Sequence, residues 1–318
     1  MVDLPVIATG RLKMERSGRT RKGSAIAKGD FLRRGLSSRE WHKIVAIKVL
    51  KIEADDCTEE QLKDFNDESE LLRSVFHANI VRFIGTGKNA EDKPFIVLEY
   101  MERGSVRHEL DNNYAHTPPE QKLQVKWATD SAMGMRHLHA IGRMHRDLKC
   151  DNLLINDRGV VKVADLGCTK LVPKITEGHE IVRGTRAVGT ALFQAPEIIC
   201  GLHYDSSVDV YSYGITLWEI QTAKHPYDKH FQPGVTARDI LNRVVEEELR
   251  PEFPTDCNKD MRELTQSCWN ARPFCRPSFD DIINKLKEIS SPNLIGEIIN
   301  CAEINEIREA ANLCSPCD

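Results

Sequence analysis

The stretch that decides the fold is "MHRDLKCDNLLI", Met144–Ile155, which crowds polar side chains together and then ends in bare apolar residues. Charged groups at this density predict a reactive site rather than a core, because a buried charge costs free energy unless it is paired. Two questions follow: which reaction needs these polar side chains, and whether the rest of the chain supplies the other groups that the reaction requires. The polar residues are His145, Arg146, Asp147, Lys149, Asp151 and Asn152.

Composition places the chain among ordinary globular proteins and argues against some partners. Its 318 residues are enough for one large domain or two lobes. The net charge of −4 argues against general binding to nucleic acid or anionic membranes, which need a basic face. No stretch approaches the roughly 18 apolar residues of a membrane span. The ten cysteines have no repeated spacing and the N-terminus lacks the charge order of a secretory signal, so we expect a cytoplasmic protein with free thiols.

The order of predicted elements indicates an α+β protein. β-branched and apolar runs at 43–50, 79–87 and 93–101 predict strands, and one helix begins near Thr58 between the first two. After residue 102 a long helix is predicted at 119–140, two short strands follow in "NLLIN" and "VVKVAD", and helices dominate after Pro196. Strands first and helices later are typical of an α+β chain in two lobes.

Three more residues complete a possible reaction centre. Asp165, in "VADLG", follows a predicted strand, and Glu68 lies on the first helix. Lys48 interrupts the apolar strand "VAIK", where its ammonium group costs free energy unless it meets an anion. Phosphoryl transfer needs such parts: a base for the hydroxyl, oxygen ligands for Mg²⁺ and a cation on the phosphates.

With these motifs the chain resembles the eukaryotic protein kinases over residues 24–290. "VAIK", a helical glutamate, "HRDLKCDN", "DLG", "APE", "DVYSYG" and "CWNARPFCRP" occur in that family's order. The resemblance implies a bilobal protein-kinase-like fold, with a β-rich N-lobe containing one main helix and a larger helical C-lobe. The predicted organisation is a flexible basic N-terminal arm at 1–23, the N-lobe at 24–101, the C-lobe at 102–291 and a helical tail at 292–318 packed on the lower lobe.

The resemblance also implies roles for the reactive residues. Lys48 would hold the α- and β-phosphates of ATP and be steadied by Glu68. Asp147 would accept the proton of the substrate hydroxyl, and Lys149 would touch the γ-phosphate. The residues implied as Mg²⁺ ligands are Asn152 and Asp165.

Further positions are assigned by the same resemblance. The nucleotide-binding set includes the gatekeeper Leu98 and the adenine-reading segment at Glu99 and Met101, and in full it is Lys48, Gly29, Phe31, Ala46, Leu98, Glu99, Met101 and Leu154. Supporting roles fall to a Glu197–Arg276 pair, to Asp209 beneath the "HRD" segment, and to a spine between the lobes formed by His145, Leu166, Leu72 and Phe83.

The phosphate-binding loop departs from the family pattern G-x-G-x-x-G. The candidate is "GSAIAKGDFLRRG", Gly23–Gly35. If Gly29 is the third glycine, Phe31 would cover adenine; in a second register Asp30 takes the third glycine position and Leu32 covers adenine. Neither register restores the motif, and the missing glycines predict weaker ATP binding or slower turnover, because glycine lets the backbone approach phosphates closely.

Lys149 and Thr190 indicate serine/threonine specificity by the same resemblance, whereas "LWEI" and "CWNARPFCRPSF" resemble tyrosine kinases and their relatives in the tyrosine kinase-like group. The resulting prediction is an ATP- and Mg²⁺-dependent serine/threonine kinase that acts on protein substrates in signalling, with an upstream kinase as a further partner. By the resemblance, the activation segment runs from Asp165 to Glu197 and offers Thr176 and Thr185 as phosphate acceptors, of which Thr185 is favoured because it lies closer to Thr190. The alternatives are a pseudokinase scaffold, a dual-specificity or tyrosine kinase, and an ATP-binding sensor. The survival of Lys48, Glu68, Asp147, Asn152 and Asp165 favours the enzyme over the scaffold.

Overall fold

The computed structural model describes residues 12–19, 24–34, 40–50, 59–89, 92–171 and 191–290. The chain divides into two compact units, Met1–Glu102 and Arg103–Asp318. The first is rich in strands and the second in helices, which confirms the predicted α+β class. The division falls one residue from the predicted lobe boundary between Met101 and Glu102.

The first unit is built on a five-stranded antiparallel sheet with the strand order β1-β2-β3-β5-β4. Apolar side chains from the middle of β3 and β5 alternate along the strands and form its core, namely Val45, Ile47, Phe95 and Val97. The elements are β1 (Leu12–Arg19), β2 (Ser24–Arg34), β3 (Glu40–Leu50), α1 (Glu59–Ser74), β4 (Phe83–Lys88) and β5 (Pro94–Glu99).

The predicted flexible arm differs from the structure over part of its length. Leu12–Arg19 form β1, which pairs antiparallel with β2 from Leu12↔Phe31 onward. The prediction of an arm depended on the absence of a visible apolar period in this basic segment. Strand pairing supplies hydrogen-bond partners for its backbone N–H and C=O groups without such a period. Residues 1–11 and 20–23 of the predicted arm lie outside the described part of the chain.

Helix α1 buries a narrower face than its sequence pattern predicts. Leu72 and Val75 are buried, but Leu62, predicted on the same face, is exposed. The predicted cap residue Thr58 lies outside the described residues. The buried side of the helix is thus its C-terminal half, and Glu68 lies at the start of that half.

The second unit is mainly helical, with short strand pairs between α3 and α4. Strand β6 pairs with β9, and β7 pairs with β8. The elements are α2 (Val106–Asn113), α3 (Gln121–Ala140), β6 (Arg143–Met144), β7 (Leu153–Ile155), β8 (Val161–Val163), β9 (Lys170–Leu171), α4 (Pro196–Ile199), α5 (Ser207–Thr222), α6 (Ala237–Glu246), α7 (Lys259–Cys268) and α8 (Phe279–Ile289).

Helix α5 is the centre of this unit and is buried along almost its whole length. Gly214 lets α7 approach closely, because a Cβ atom at this position would lie 3.0 Å from the Cβ of Cys268 and from the backbone nitrogen of Trp269. A helix buried on all sides makes a rigid base for the segments that rest on it. Among the described residues, no helix combines the length and apolarity needed to cross a membrane.

Helix α2 is an element that the sequence analysis does not predict. It is short, and its N-cap is Ser105, whose hydroxyl accepts the N–H of His108 at 3.1 Å. The signal is present in the sequence, since serine is a favoured N-cap, but the following residues carry too few apolar side chains to show a helical period.

Candidate active site

Lys48 and Glu68 form an ion pair within the first unit. Strand β3 carries Lys48 and helix α1 carries Glu68, and the ammonium Nζ donates to Oε1 at 2.6 Å. Both side chains are largely shielded from water, with 18% and 15% of their surface exposed. The pair satisfies a lysine placed in an apolar strand, as expected from the sequence, and keeps its charge in a fixed position.

Two of the predicted nucleotide-binding residues of the first unit, Ala46 and Leu98, share a face of the sheet with Lys48. Ala46 is two residues before Lys48 on β3, and in the pairing with β5 it lies opposite Leu98. Positions two apart on a strand, and directly opposed positions, belong to the same face. Beyond Leu98, the carboxylate of Glu99 accepts the N–H of Arg82 at 2.6 Å, and Met101 is buried.

The predicted phosphate loop is not a loop in the structure. Ser24–Arg34 form strand β2, and its pairing with β3 continues without interruption from Ser24↔Leu50 to Arg34↔Glu40. The connection between β1 and β2 instead covers residues 20–23. The loop predicted at Gly23–Gly35 is therefore corrected at its central glycine, because Gly29 lies inside a paired strand and cannot form the turn that the motif requires.

The same register moves Gly29 and Phe31 away from their predicted role. Gly29 pairs with Val45 and Phe31 pairs with Lys43. These partners lie an odd number of residues from Lys48, so their register positions belong to the opposite face of the sheet. The sequence analysis missed this because apolar and polar residues alternate in β1 only over Leu12–Glu15, which is too short a stretch to indicate a strand.

In the second unit, the segment His145–Asn152, here called the HRD loop, brings three predicted residues together. The side-chain amide of Asn152 donates to the backbone oxygen of Asp147 at 2.6 Å and to its carboxylate Oδ2 at 3.2 Å. The ammonium of Lys149 lies 3.5 Å from the other oxygen, Oδ1. A buried carboxylate thus faces one cation and one amide, which fix its orientation.

Asp165 is held next to this loop by a backbone contact. The N–H of Ala164, which precedes Asp165, donates to the backbone oxygen of Asn152 at 2.9 Å. Asp165 has a left-handed backbone with φ 58° and an exposed side chain, and Leu166 after it is buried. A left-handed conformation is uncommon outside glycine and is retained only where the surroundings impose it, as they often do at functional sites.

The side-chain oxygen atoms of Asn152 and Asp165 are of the kind that binds Mg²⁺. Because the Nδ2 group of Asn152 is used on Asp147, its Oδ1 is the atom that remains for a cation. The Asp165 carboxylate would be the second oxygen donor. Among the described residues no group of three His, Cys, Asp or Glu side chains could hold a metal by itself. Mg²⁺ does not need one, since it is commonly bound by one or two carboxylates together with water and substrate phosphates.

Asp209 anchors the start of the HRD loop. Its two carboxylate oxygens accept the backbone N–H groups of His145 at 2.8 Å and Arg146 at 2.7 Å, and His139 Nε2 lies 2.9 Å from Oδ2. Burial opposes ionisation, but these contacts, above all the one with His139, lower the pKa of Asp209. Arg146 needs this support, since its φ of 64° is strained. His139 is a contributor that the sequence analysis missed; the only signal is its position in the last turn of the long helix α3.

Two other predicted contacts lie within the second unit. Arg276 donates through Nη2 to Oε2 of Glu197 at 2.9 Å, and both residues are buried. His145 is also fully buried and contacts the backbone oxygen of Ala164 through Nε2 at 2.9 Å. The predicted spine between the lobes stays a prediction, as does the role of Leu154 on β7.

Several predicted features lie outside the residues that the structure describes. They are the activation-segment threonines Thr176, Thr185 and Thr190 and the tail at 292–318.

Comparisons with known proteins give a consistent result. The sequence pattern of the family described as "Protein tyrosine and serine/threonine kinase" matches residues 20–286. "Serine/threonine-protein kinase STY17" of Arabidopsis thaliana is 36% identical over 261 residues, which is 82% of this chain and 42% of that protein. "Dual specificity protein kinase shkA" of Dictyostelium discoideum is 34% identical over 253 residues, 78% of this chain and 45% of that protein.

A third relative matches over more of its own length. "Serine/threonine/tyrosine-protein kinase HT1" of Arabidopsis thaliana is 34% identical over 286 residues, 87% of this chain and 69% of that protein. The matched region covers less than half the length of STY17 and shkA.

Proposed function

Because the chain belongs to the protein tyrosine and serine/threonine kinase family, we propose that it transfers the γ-phosphate of ATP to serine and threonine hydroxyls of protein substrates. The observation that carries this proposal is the hydrogen-bonded group of Asp147, Lys149 and Asn152, held on the buried Asp209. It supplies a proton acceptor, a cation and an oxygen donor within one short loop, which are parts that phosphoryl transfer needs.

Each residue of the loop has a chemical task in this proposal. Asp147 accepts the proton of the substrate hydroxyl, and the amide of Asn152 keeps its carboxylate turned in one direction. Lys149 balances the negative charge of the transferred phosphoryl group from its position beside Asp147. Groups that are fixed before the reaction need no reorganisation during it, which is where the rate advantage comes from.

ATP and Mg²⁺ are the cofactors that these residues fit. Lys48 binds the α- and β-phosphates, and Glu68 keeps the ammonium in place. Asn152 and Asp165 bind Mg²⁺, which neutralises phosphate charge when it is bound. In the first unit, adenine contacts Ala46 and Leu98, which are paired across β3 and β5, together with Glu99 and Met101. In the second unit, Leu154 is the residue assigned to the nucleotide.

We assign the phosphate loop to the connection between β1 and β2. Gly18-x-Thr20-x-x-Gly23 has the spacing of G-x-G-x-x-G with threonine at the second glycine. The pairing of β1 with β2 is irregular between Arg16 and Arg19, and Gly18 falls inside this irregularity. Glycine is the residue expected where a strand leaves its ladder to approach a phosphate.

The preference for serine and threonine rests on Lys149. It is supported by STY17, a serine/threonine-protein kinase, whereas shkA is a dual-specificity kinase and HT1 a serine/threonine/tyrosine-protein kinase. Protein substrates, a cytoplasmic location and an upstream kinase that modifies Thr185 complete the proposal. The six cysteines of the described residues are free thiols, which agrees with a reducing compartment.

A pseudokinase scaffold is the second candidate, and the observation that favours it is Thr20 at a position where the family has glycine. The two are separated by incubation with Mg²⁺, γ-labelled ATP and a library of serine, threonine and tyrosine peptides. We expect labelling of serine and threonine peptides by the unmodified chain and by Asp256→Asn, a change on an exposed loop, but loss of labelling in Asp147→Asn. Equal labelling in all three proteins would rule out the enzyme.

A further inference from the structure

A buried charged cluster lies behind the HRD loop and has no part in the site described above. Glu219 on α5, Arg107 on α2 and Cys150 in the loop are all buried. Glu219 accepts with both carboxylate oxygens: Oε1 from Nη1 of Arg107 at 3.2 Å, and Oε2 from the backbone N–H of Cys150 at 3.3 Å. The carboxylate therefore joins a guanidinium on one side to the backbone of the HRD loop on the other.

Arg107 is itself fixed from several directions. Its Nη2 donates to the backbone oxygen of Ala223 at 2.9 Å, and its Nη1 donates to that of Lys224 at 3.2 Å. Its Nη2 also lies 2.8 Å from the carboxylate of Asp111. A cation at the C-terminal end of α5 is favourable, because unpaired carbonyl groups and the helix dipole make that end negative. Arg107 thus holds Glu219 in place independently of the HRD loop.

The HRD loop lacks a local group that could replace Glu219. Cys150 begins a single turn of 3-10 helix, Cys150–Asn152, and Lys149 before it provides no side-chain cap. The first N–H groups of a helical turn have no partner within the turn and need one from elsewhere. Glu219 supplies that acceptor from another helix. The Sγ atom of Cys150 lies 3.8 Å from the backbone oxygen of Thr216, also on α5.

We propose that Glu219 is a positioning residue for catalysis, whose carboxylate fixes the Cys150 N–H and thereby the neighbouring Lys149 and, at the end of the same turn, Asn152. This inference rests on the proposed function. Asp209 and Glu219 both belong to α5, so one rigid helix holds the HRD loop at two points. Asp209 fixes its beginning through His145 and Arg146, and Glu219 fixes its end.

The test combines hydrogen exchange with kinetics on the full chain. The exchange rate of the Cys150 amide, read by NMR, reports the contact without any need for activity. We expect Glu219→Ala to raise that rate at least tenfold and Glu219→Gln to raise it less, because the carboxamide keeps an acceptor oxygen. Glu246→Gln makes the same chemical change at an exposed position of α6 and should leave the rate unchanged. An unchanged rate in Glu219→Ala would overturn the proposal.

Kinetics then distinguish positioning from general stability. We expect Glu219→Ala to lower kcat about tenfold while KM for ATP stays within twofold, and Glu219→Gln to recover most of the loss. Cys150→Pro provides a second route if Glu219→Ala does not fold. Proline is tolerated at the first position of a helical turn and has no N–H, so it removes the group through which Glu219 is proposed to act. Glu219→Gln should therefore have no further effect on kcat in a chain that already carries Cys150→Pro.

The outcomes separate the two proposals. Additive effects of Glu219→Gln and Cys150→Pro on kcat would contradict the positioning role. The free-energy effects of two substitutions add only when the two residues act independently of each other. If the unmodified chain transfers no phosphate, the proposed function fails, while the exchange rate of the Cys150 amide still decides whether Glu219 holds the loop.

Discussion

Asn152 donates from a single amide group to both the backbone oxygen and the carboxylate of Asp147, at 2.6 and 3.2 Å. This double contact makes the orientation of the proposed base depend on the proposed metal ligand. In the proposed function, the Asn152 side chain thus orients the Asp147 carboxylate and also binds Mg²⁺, and its removal should impair both.

Replacing Asn152 with alanine should therefore reduce kcat by at least a hundredfold, because the Asp147 carboxylate loses its hydrogen bond and Mg²⁺ loses one ligand. The Mg²⁺ concentration that gives half-maximal rate should rise as well. Both are measured by peptide phosphorylation at varied Mg²⁺. Asn112→Ala is the control, since Asn112 contacts only His108 within its own helix turn. A fall in kcat of less than fivefold in Asn152→Ala would contradict the assignment.

The ion pair of Lys48 and Glu68 should affect catalysis more than stability. Glu68→Gln removes the charge that steadies Lys48, so kcat/KM for ATP should fall about tenfold or more. The free energy of unfolding should fall by only about 1–2 kcal/mol, since the carboxamide oxygen of glutamine still accepts from the Lys48 ammonium. Steady-state kinetics and urea unfolding measure the two quantities, with Glu70→Gln, an exposed position on the same helix, as control. A large loss of stability with unchanged kinetics would mean that the pair is structural.

How far the sequence could predict these features depends on how local each signal is. Lys48, Asp147 and Asp165 are recognisable because a charged residue beside an apolar strand is unusual wherever it occurs. The strand β2 is predicted from the sequence as a loop because its state depends on which segment pairs with it, and the basic segment Leu12–Arg19 alternates apolar and polar residues only over its first four positions. Propensity and pattern describe a segment alone, whereas strand pairing is decided by its neighbours.

The same reason explains why the Arg107–Glu219–Cys150 cluster escaped the sequence analysis. Its members are separated by 112 and 69 residues along the chain, and nothing around Arg107 marks it as buried. An arginine in a short polar helix is typical of a solvated surface. Only the packing of α2 against the end of α5 converts it into a buried partner of Glu219.

The proposed assignment of the phosphate loop to the connection between β1 and β2 can be tested by comparing Gly23 with Gly29. Gly23→Ala should raise KM for ATP severalfold if residues 20–23 approach the phosphates. Gly29→Ala should leave KM unchanged and be neutral or slightly stabilising, since alanine is favoured over glycine inside a strand by about 0.5–1 kcal/mol. ATP titrations and thermal unfolding of both variants measure this. The reverse pattern, with KM raised only in Gly29→Ala, would restore the loop predicted at Gly23–Gly35.

The buried pair of Glu197 and Arg276 should matter for stability. Glu197→Ala leaves the Arg276 guanidinium buried without its carboxylate partner, and we expect a loss of about 3–5 kcal/mol in the free energy of unfolding. Urea unfolding followed by circular dichroism measures it. The control is Glu263→Ala, which removes an exposed partner of Lys259 on α7 and should cost less than about 0.5 kcal/mol. Similar losses in the two variants would show that burial does not govern the effect.

Glu219 should make stability depend on pH in a characteristic direction. Burial raises the pKa of Glu219 from 4.5 to about 7, against the opposing attraction of Arg107. Between these values the folded chain binds a proton that the unfolded chain has released, so the contribution of Glu219 to stability declines as pH rises from about 4.5 to about 7. The total decline is about 3 kcal/mol, from about 1.4 kcal/mol for each pKa unit.

Glu219→Gln cannot ionise, so the difference in unfolding free energy between this variant and the unmodified chain should grow over that pH range in favour of the variant. Urea unfolding at several pH values between 4.5 and 8 measures the difference. Glu246→Gln, exposed on α6, should run parallel to the unmodified chain throughout. If the Glu219→Gln difference is constant with pH, or grows toward acid, then Glu219 stays ionised in the folded state and Arg107 outweighs its burial.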